Sequence, residues 1–245
     1  MPTQSLSVFF PMYNEELNID QTLDQAELKI PSLGIEDYEI LVIDDGSKDG
    51  SAEVVNRRIT QNPRIRLVRH PVNVGYGAAL RTGFTQATRD LIFYTDCDLP
   101  VDLNDIQRAL PLLKEADLVI GFRIKRHETL RRAIYSRIYN SLMRILFGVH
   151  VRDVNFSFKI VRRRVMQRVQ LSASTVFIDG QLLAEAVYHG FKIAEIPVEY
   201  TPRKFGISNF DSLLTAWLTL KEMLSYALLR IRKTAVIPET LQKAK

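Results

Sequence analysis

Cysteine is almost missing from this chain: 245 residues hold one, Cys97, so no intramolecular disulfide is possible and a reducing compartment fits. Histidine is scarce as well. His70, His127, His150 and His189 lack the short spacings of a zinc site, which argues against structural or catalytic zinc. No apolar run approaches the ~20 residues that cross a bilayer. Met1-Pro2-Thr3-Gln4-Ser5 has neither the basic start nor the apolar core of a secretory leader, so the expectation is a protein made and kept in the cytosol. Repeats, low-complexity tracts and Pro/Gly/Ser linkers are absent too. The reading is one main domain over residues 1–209, an amphipathic helix over 210–233 and a flexible tail over 234–245. The net charge, +5 from 33 basic and 28 acidic residues, is too small to indicate nucleic-acid binding, and no nucleic-acid motif is found.

What the chain does have is a set of apolar runs that end in polar loops. Leu6-Ser7-Val8-Phe9-Phe10 runs into Pro11-Met12-Tyr13-Asn14-Glu15-Glu16, where Asn14 is placed to cap a helix beginning at Glu15. Tyr38–Ile43 runs into Asp44-Asp45-Gly46-Ser47-Lys48-Asp49-Gly50 and then a helix-compatible stretch. Leu91-Ile92-Phe93-Tyr94 is followed by Asp96-Cys97-Asp98. This is the strand, loop, helix pattern of an α/β protein, in which ligands bind beyond the carboxyl ends of the strands. Alternate residues of an extended segment point the same way, so Asp96 and Asp98 can converge on one divalent cation and a diphosphate while Cys97 points into packing. An Asp-x-Asp pair also occurs in ordinary solvated turns; its neighbours favour the metal. Asn73-x-Gly75-x-Gly77, ahead of a helix-favouring stretch, permits close backbone approach.

Taken in order, Pro11-x-Tyr13-Asn14-Glu15-Glu16, Asp44-Asp45-Gly46-Ser47, Asn73-x-Gly75-x-Gly77, Asp96-x-Asp98 and Arg203-x-x-Gly206-x-Ser208 resemble the family 2 glycosyltransferases, in particular the group similar to dolichol-phosphate mannose synthase and other polyprenyl-phosphate glycosyltransferases. The resemblance covers nearly the whole chain. It implies a GT-A fold, a mostly parallel central sheet flanked by helices. It also implies transfer of a sugar, with inversion, from a nucleoside diphosphate (a GDP- or UDP-sugar) to a polyprenyl phosphate, with Mg2+ or Mn2+ as cofactor. Asp96 and Asp98 would hold the metal, and Asp96 would join Pro11, Tyr13, Glu15, Asp44 and Asp45 around the nucleotide. Asp98 and Arg203 would stabilise the departing diphosphate, while Arg123, Arg131 and Ser208 would meet the acceptor phosphate. A lipid phosphate is already anionic and needs no strong base. For a sugar hydroxyl, Asp179 is the candidate base, although it is equally placed to cap a helix starting near Gln181. The chain departs from the family at Pro100, where a polar side chain is usual and Asp102 or water would have to substitute. It departs again at Asp153-Val154-Asn155-Phe156-Ser157-Phe158-Lys159, with Ser157 for glycine and Lys159 for arginine.

Two stretches combine apolar and basic residues. Between Arg123 and Arg144 lie seven basic residues against one acid, Glu128, interleaved with Leu130, Ile134, Ile138, Leu142, Ile145 and Leu146 at helical spacing. Phe210–Arg232 carries Leu213, Leu214, Trp217, Leu218, Leu220, Leu224, Leu228 and Leu229 before Arg230, Arg232 and Lys233. Each reads either as a peripheral membrane surface at the cytosolic face or as a helix packed on the domain or on a membrane partner subunit.

Other function classes fit less well. A dehydrogenase would need a third glycine and a position at the first strand-to-helix turn. A nucleotidyltransferase would carry a Gly-rich basic first loop, which is acidic here. A non-catalytic binding subunit has no need of both Asp96 and Asp98.

Overall fold

Apolar residues alternate in direction along the first strand, Val8 and Phe10 entering one core and Phe9 the other, so the sheet is buried on both faces. The computed structural model describes residues 5–124, 130–202 and 213–235. Seven strands form one sheet: β1 (Leu6–Met12), β2 (Tyr38–Asp44), β3 (Ile65–Arg69), β4 (Leu91–Tyr94), β5 (Leu118–Arg123), β6 (Lys159–Arg162) and β7 (Ile193–Val198), in the order β3-β2-β1-β4-β6-β5-β7. All neighbours are parallel except β6, which runs antiparallel to both β4 and β5. The chain builds outward from β1 to β3, then returns to place β4 on the other side of β1. That reversal opens a crevice at the carboxyl ends of β1 and β4, the usual ligand position in such sheets.

The helices are α1 (Glu16–Ser32), α2 (Ser51–Gln61), α3 (Tyr76–Gln86), α4 (Asp105–Ala109) with a following 3-10 turn (Leu110–Lys114), α5 (Leu130–Phe147), α6 (Arg163–Met166), α7 (Phe177–Tyr188) and α8 (Leu213–Ala235). Residues of α1, α2 and α4 share one core with Val8, Phe10, Ile40 and Phe93. Those of α3, α5, α7 and α8 share the other with Phe9, Leu41 and Tyr94. At the far end of the sheet from the crevice, buried Glu39 on β2 accepts hydrogen bonds from Ser7, the Thr88 amide and hydroxyl, and Arg66, which ties β1, β2 and β3 to the segment entering β4. A carboxylate so fully partnered is tolerated in the sheet.

α7 is almost wholly buried, and α8 packs across it through Thr219, Met223 and Ala227. The opposite side of α8 is also apolar: Leu214, Trp217, Leu218, Leu224, Leu228 and Leu229 are exposed. α5 behaves likewise. Met143 is buried, whereas Ile134, Ile138 and Ile145 form an outward stripe beside exposed Arg137 and Arg144. Of the expected stripes, Leu142 of α5 and Leu220 of α8 do pack on the core, while the exposed apolar residues just named face outward. Each helix thus packs on the domain through part of its apolar surface and leaves the rest exposed. No helix among the described residues is long and apolar enough to cross a membrane.

Candidate active site

β4 delivers Asp96 to the crevice. Asp96 and Asp98 are both partly exposed and Cys97 between them is buried, the alternation expected from an extended segment. The Cys97 carbonyl accepts the Thr22 hydroxyl of α1 at 2.5 Å, and Leu99 turns the chain with a positive φ of 45°. The Tyr76 hydroxyl donates to Asp96 at 3.3 Å, and Ser157 donates as well. Burial and the neighbouring charge of Asp98 push the Asp96 carboxyl up to about 6, against the pull of Ser157, Tyr76 and Lys159. Two carboxylates that disfavour each other's charge fit a divalent cation, which would relieve both. Among the described residues no third acid or histidine joins them. Asp102 is no substitute for the side chain lost at Pro100: its Oδ1 accepts the Asn104 amide at 2.9 Å in an exposed turn. A cation here would complete its shell with diphosphate and water oxygens.

Behind Asp96 the antiparallel register organises a polar chain. Tyr94 on β4 pairs with Lys159 on β6, so two residues further along Ser157 arrives opposite Asp96. Tyr94 and Lys159 share the face toward α7, where Asp179 occupies the first turn. The fully buried Lys159 ammonium lies 2.7 Å from Asp179 Oδ1 and donates to the Phe156 carbonyl at 2.7 Å and the Tyr94 hydroxyl at 3.1 Å. Tyr94 in turn donates to Asp179. Burial lowers the Lys159 ammonium to about 7, with Arg123 adding to the effect, and burial alone pushes the Asp179 carboxyl well up. Asp179 is only 1% exposed, so it is an internal partner of Lys159 and its carboxylate does not open onto the crevice. It does not cap α7 either, because that helix starts at Phe177.

The first two loops lock together as one wall. Asn14, at a positive φ of 54°, donates its amide to Ser47 Oγ at 2.9 Å and accepts the Lys48 amide on its side chain at 2.8 Å. Its expected role as a helix cap is corrected: α1 begins one residue later, with Glu15 at its start and no side-chain cap. Pro11 is buried at the end of β1, while Tyr13 and Glu15 are partly exposed, Glu15 accepting Asn18 Nδ2 at 2.6 Å. Asp44 is buried, accepting the Ser47 amide at 2.8 Å and lying 2.9 Å from Arg69 Nε. Asp45 braces the glycine turn: it meets His70 Nδ1 at 2.7 Å and accepts the Val74 and Gly75 amides at 3.0 and 2.8 Å. His70 continues to Thr82 at 2.9 Å.

The glycines of that turn make room for the protein's own chain. Gly77 abuts the backbone of Ala173 and Ser174, and its amide donates to the Ser174 carbonyl at 3.2 Å. Gly75 adopts a φ of +98°, in the region that glycine enters without strain. Arg123, at the end of β5, is held in a bidentate pair by Asp153 at 2.7 and 3.1 Å. Arg131 belongs to α5, but its side chain is outside the described residues, as are Arg203, Gly206 and Ser208.

The model of the family "Glycosyl transferase family 2" matches residues 7–170, which span every loop just described as far as α6. The chain belongs to glycosyl transferase family 2. It is thus a glycosyltransferase. A polyprenol monophosphomannose synthase of Mycolicibacterium smegmatis is 29% identical over 227 residues, covering 86% of this chain and 82% of that protein. A dolichyl-phosphate beta-glucosyltransferase of Trichomonas vaginalis is 30% identical over 228 residues, 86% of this chain and 71% of that one. Glycosyltransferase AglD of Haloferax volcanii is 29% identical over 207 residues, but this chain spans only 33% of its length. Among solved structures, glucosyl-3-phosphoglycerate synthase from Mycobacterium tuberculosis, in complex with UDP, has a TM-score of 0.69 at 20% identity, covering 91% of this chain and 80% of that one. That likeness shows the shared GT-A fold.

Within this family 2 enzyme, the sequence motifs located the loops and the departures at Ser157 and Lys159, but not the roles of Tyr76, Ser157 and Lys159 around Asp96, nor that of Glu222, which holds Ser174 and Thr175. Besides that departure, a lysine inside the run Phe158-Lys159-Ile160-Val161 was a sign, since a charge in a buried strand requires a partner.

Proposed function

We propose that this glycosyltransferase moves a sugar from a GDP- or UDP-sugar to a polyprenyl phosphate, at a membrane surface, using Mg2+ or Mn2+ held by Asp96 and Asp98. The observation that carries the reading is the carboxylate pair at the sheet's crevice, with Asp96 raised to about 6 by burial and by Asp98. The cation would supply Lewis acidity for the departing diphosphate. Tyr76 and Ser157 orient Asp96, and the interlocked 13–16 and 44–50 loops form the wall against which a nucleoside would lie. Arg203 and Ser208 are proposed to meet phosphate oxygens, with Arg203 using its planar fork. Arg123, fixed by Asp153, and Arg131 are proposed for the acceptor phosphate. Burial of Asp179 beside Lys159 supports an acceptor that needs no base, as a lipid phosphate does.

Two further observations support the lipid. The relatives in Mycolicibacterium smegmatis and Trichomonas vaginalis are by name polyprenol and dolichyl-phosphate enzymes. The outward apolar faces of α5 and α8, edged by Arg137, Arg144 and Lys221, have the composition of an interfacial surface for anionic lipid. The cytosolic leaflet is the proposed location. Incubating the purified protein with GDP- and UDP-sugars, with and without polyprenyl phosphate, and measuring released nucleotide and glycolipid tests the proposal. Release without any glycolipid, or glycosylation of a free sugar in its place, would refute the acceptor.

A further inference from the structure

One side chain of α8 reaches past its own helix interface to the loop ahead of α7. Glu222 accepts the Ser174 amide at 2.7 Å on Oε1, and the Thr175 amide at 3.0 Å and hydroxyl at 2.6 Å on Oε2. Both oxygens of the carboxylate are therefore committed to two adjacent residues, Ser174 and Thr175. The loop is fixed from its other side by Gln181, whose Oε1 accepts the Ser172 and Ala173 amides at 2.9 and 2.8 Å. Two of the loop's carbonyls bind the first turns of α3. The Ser174 carbonyl accepts the Gly77 amide at 3.2 Å, and the Ala173 carbonyl accepts Arg81. Tyr76, between Gly75 and Gly77, is the residue that donates to Asp96 at 3.3 Å.

We propose that Glu222 is a positioning residue for the nucleotide-sugar donor: by holding Ser174 and Thr175 it sets the glycine turn at the start of α3 and, through Tyr76, the orientation of Asp96. The inference rests on the reading of Asp96 as part of the donor site and makes no use of the acceptor. Hydrogen bonds from amides to a carboxylate are charge-assisted and stronger than neutral ones, which gives the carboxylate a grip that a neutral side chain would lack. A loop tied down on both sides leaves α3 little freedom, so loosening one tie displaces the turn that both ties support.

The test uses the full chain in the absence of lipid. GDP and UDP, each with Mn2+, are titrated calorimetrically into wild type and into Glu222→Ala, Glu222→Gln and Thr175→Val, and donor and acceptor kinetics are then measured separately. Glu222→Ala is expected to weaken binding of the preferred nucleotide about 10-fold, the effect of losing roughly one charged hydrogen bond's worth of order. Donor KM should rise by a similar factor while acceptor KM stays within twofold. Thr175→Val, which removes one of the three donors, together with the acceptor of the Phe177 amide at 3.1 Å, and no charge, should give a smaller shift in the same direction, and Glu222→Gln should fall between the two. Hydrogen exchange at the Gly77 amide should quicken in step. Wild-type nucleotide affinity and Gly77 exchange in a folded Glu222→Ala protein overturn the proposal. If Glu222→Ala does not fold, unchanged affinity in both Thr175→Val and Glu222→Gln overturns it equally. Wild-type protein that binds nucleotide but makes no glycolipid removes the acceptor reading and leaves this inference standing.

Discussion

Gly77 faces the Ala173 carbonyl so closely that a Cβ added to Gly77 would stand 2.3 Å from that oxygen. The glycine of the Asn-x-Gly-x-Gly motif is thus a packing requirement between the start of α3 and the loop before α7. Gly77→Ala should cost about 1–3 kcal/mol by overpacking, because a backbone carbonyl cannot swing away as a side chain can. Donor binding should weaken with it. A melting temperature and nucleotide affinity equal to wild type would remove this account of the motif.

Asp96 should be a site where function opposes stability. Its carboxyl is raised from 3.8 to about 6 in the fold, so between those values the folded state holds the proton more tightly than the unfolded state. Stability then falls as pH rises through that window, and above about 6 the full penalty remains. Asp96→Asn removes it and should stabilise the metal-free protein at pH 7.5 by on the order of 1–3 kcal/mol, while abolishing transfer. Mn2+ should raise the melting temperature of wild type and leave that of Asp96→Asn unmoved. Asp98→Ala should likewise abolish transfer with the fold intact, and near-wild-type activity of both variants in saturating Mn2+ would refute the metal assignment.

The Lys159–Asp179 pair predicts an asymmetry. Lys159→Met replaces a buried ammonium by an apolar chain of similar length and leaves Asp179 protonated against Tyr94, a change expected to be nearly neutral for stability. Asp179→Ala instead strands the buried ammonium and should cost about 3–5 kcal/mol below about pH 7, where Lys159 keeps its proton. The pH dependence follows from Lys159, lowered from 10.5 to about 7. Between those values the unfolded chain binds the extra proton, so wild-type stability should rise with pH across the window and that rise should shrink in Lys159→Met. Transfer to a lipid phosphate should survive Asp179→Asn. Equal costs for the two deletions in chemical denaturation would refute the pairing.

The outward faces of α5 and α8 give a prediction free of folding effects. Ile138, Ile145 and Trp217 are 53%, 77% and 62% exposed, so replacing all three with Ser should change stability by no more than about 0.5 kcal/mol per site. Binding to vesicles containing anionic lipid should nonetheless drop by an order of magnitude or more, since each apolar side chain contributes roughly 1 kcal/mol or more at such a surface. Arg137→Gln with Arg144→Gln should weaken it further and make it less salt-sensitive. Vesicle binding equal to wild type would move these faces to a protein partner.

Local pattern was enough to place the first, second and fourth strands, because the short apolar runs Leu6–Phe10, Tyr38–Ile43 and Leu91–Tyr94, each ending in a polar loop, depend only on which residues are apolar. The same local logic put Asp96 and Asp98 on one side of an extended segment and Cys97 on the other, and the order of short motifs disclosed the family. What the sequence could not supply was the pairing of distant segments. Ser157 and Lys159 acquire their roles from an antiparallel register across 65 residues, as the Lys159–Tyr94 bond spans. Glu222 acquires its role from the packing of α8 over α7, 47 residues from Thr175. Asn14 reads as a helix cap until the 44–50 turn arrives to take its side chain. On α5 and α8 the helical period showed that apolar stripes existed, but which stripe faces water is fixed by the neighbours each helix finds, and only the assembled sheet and α7 provide them.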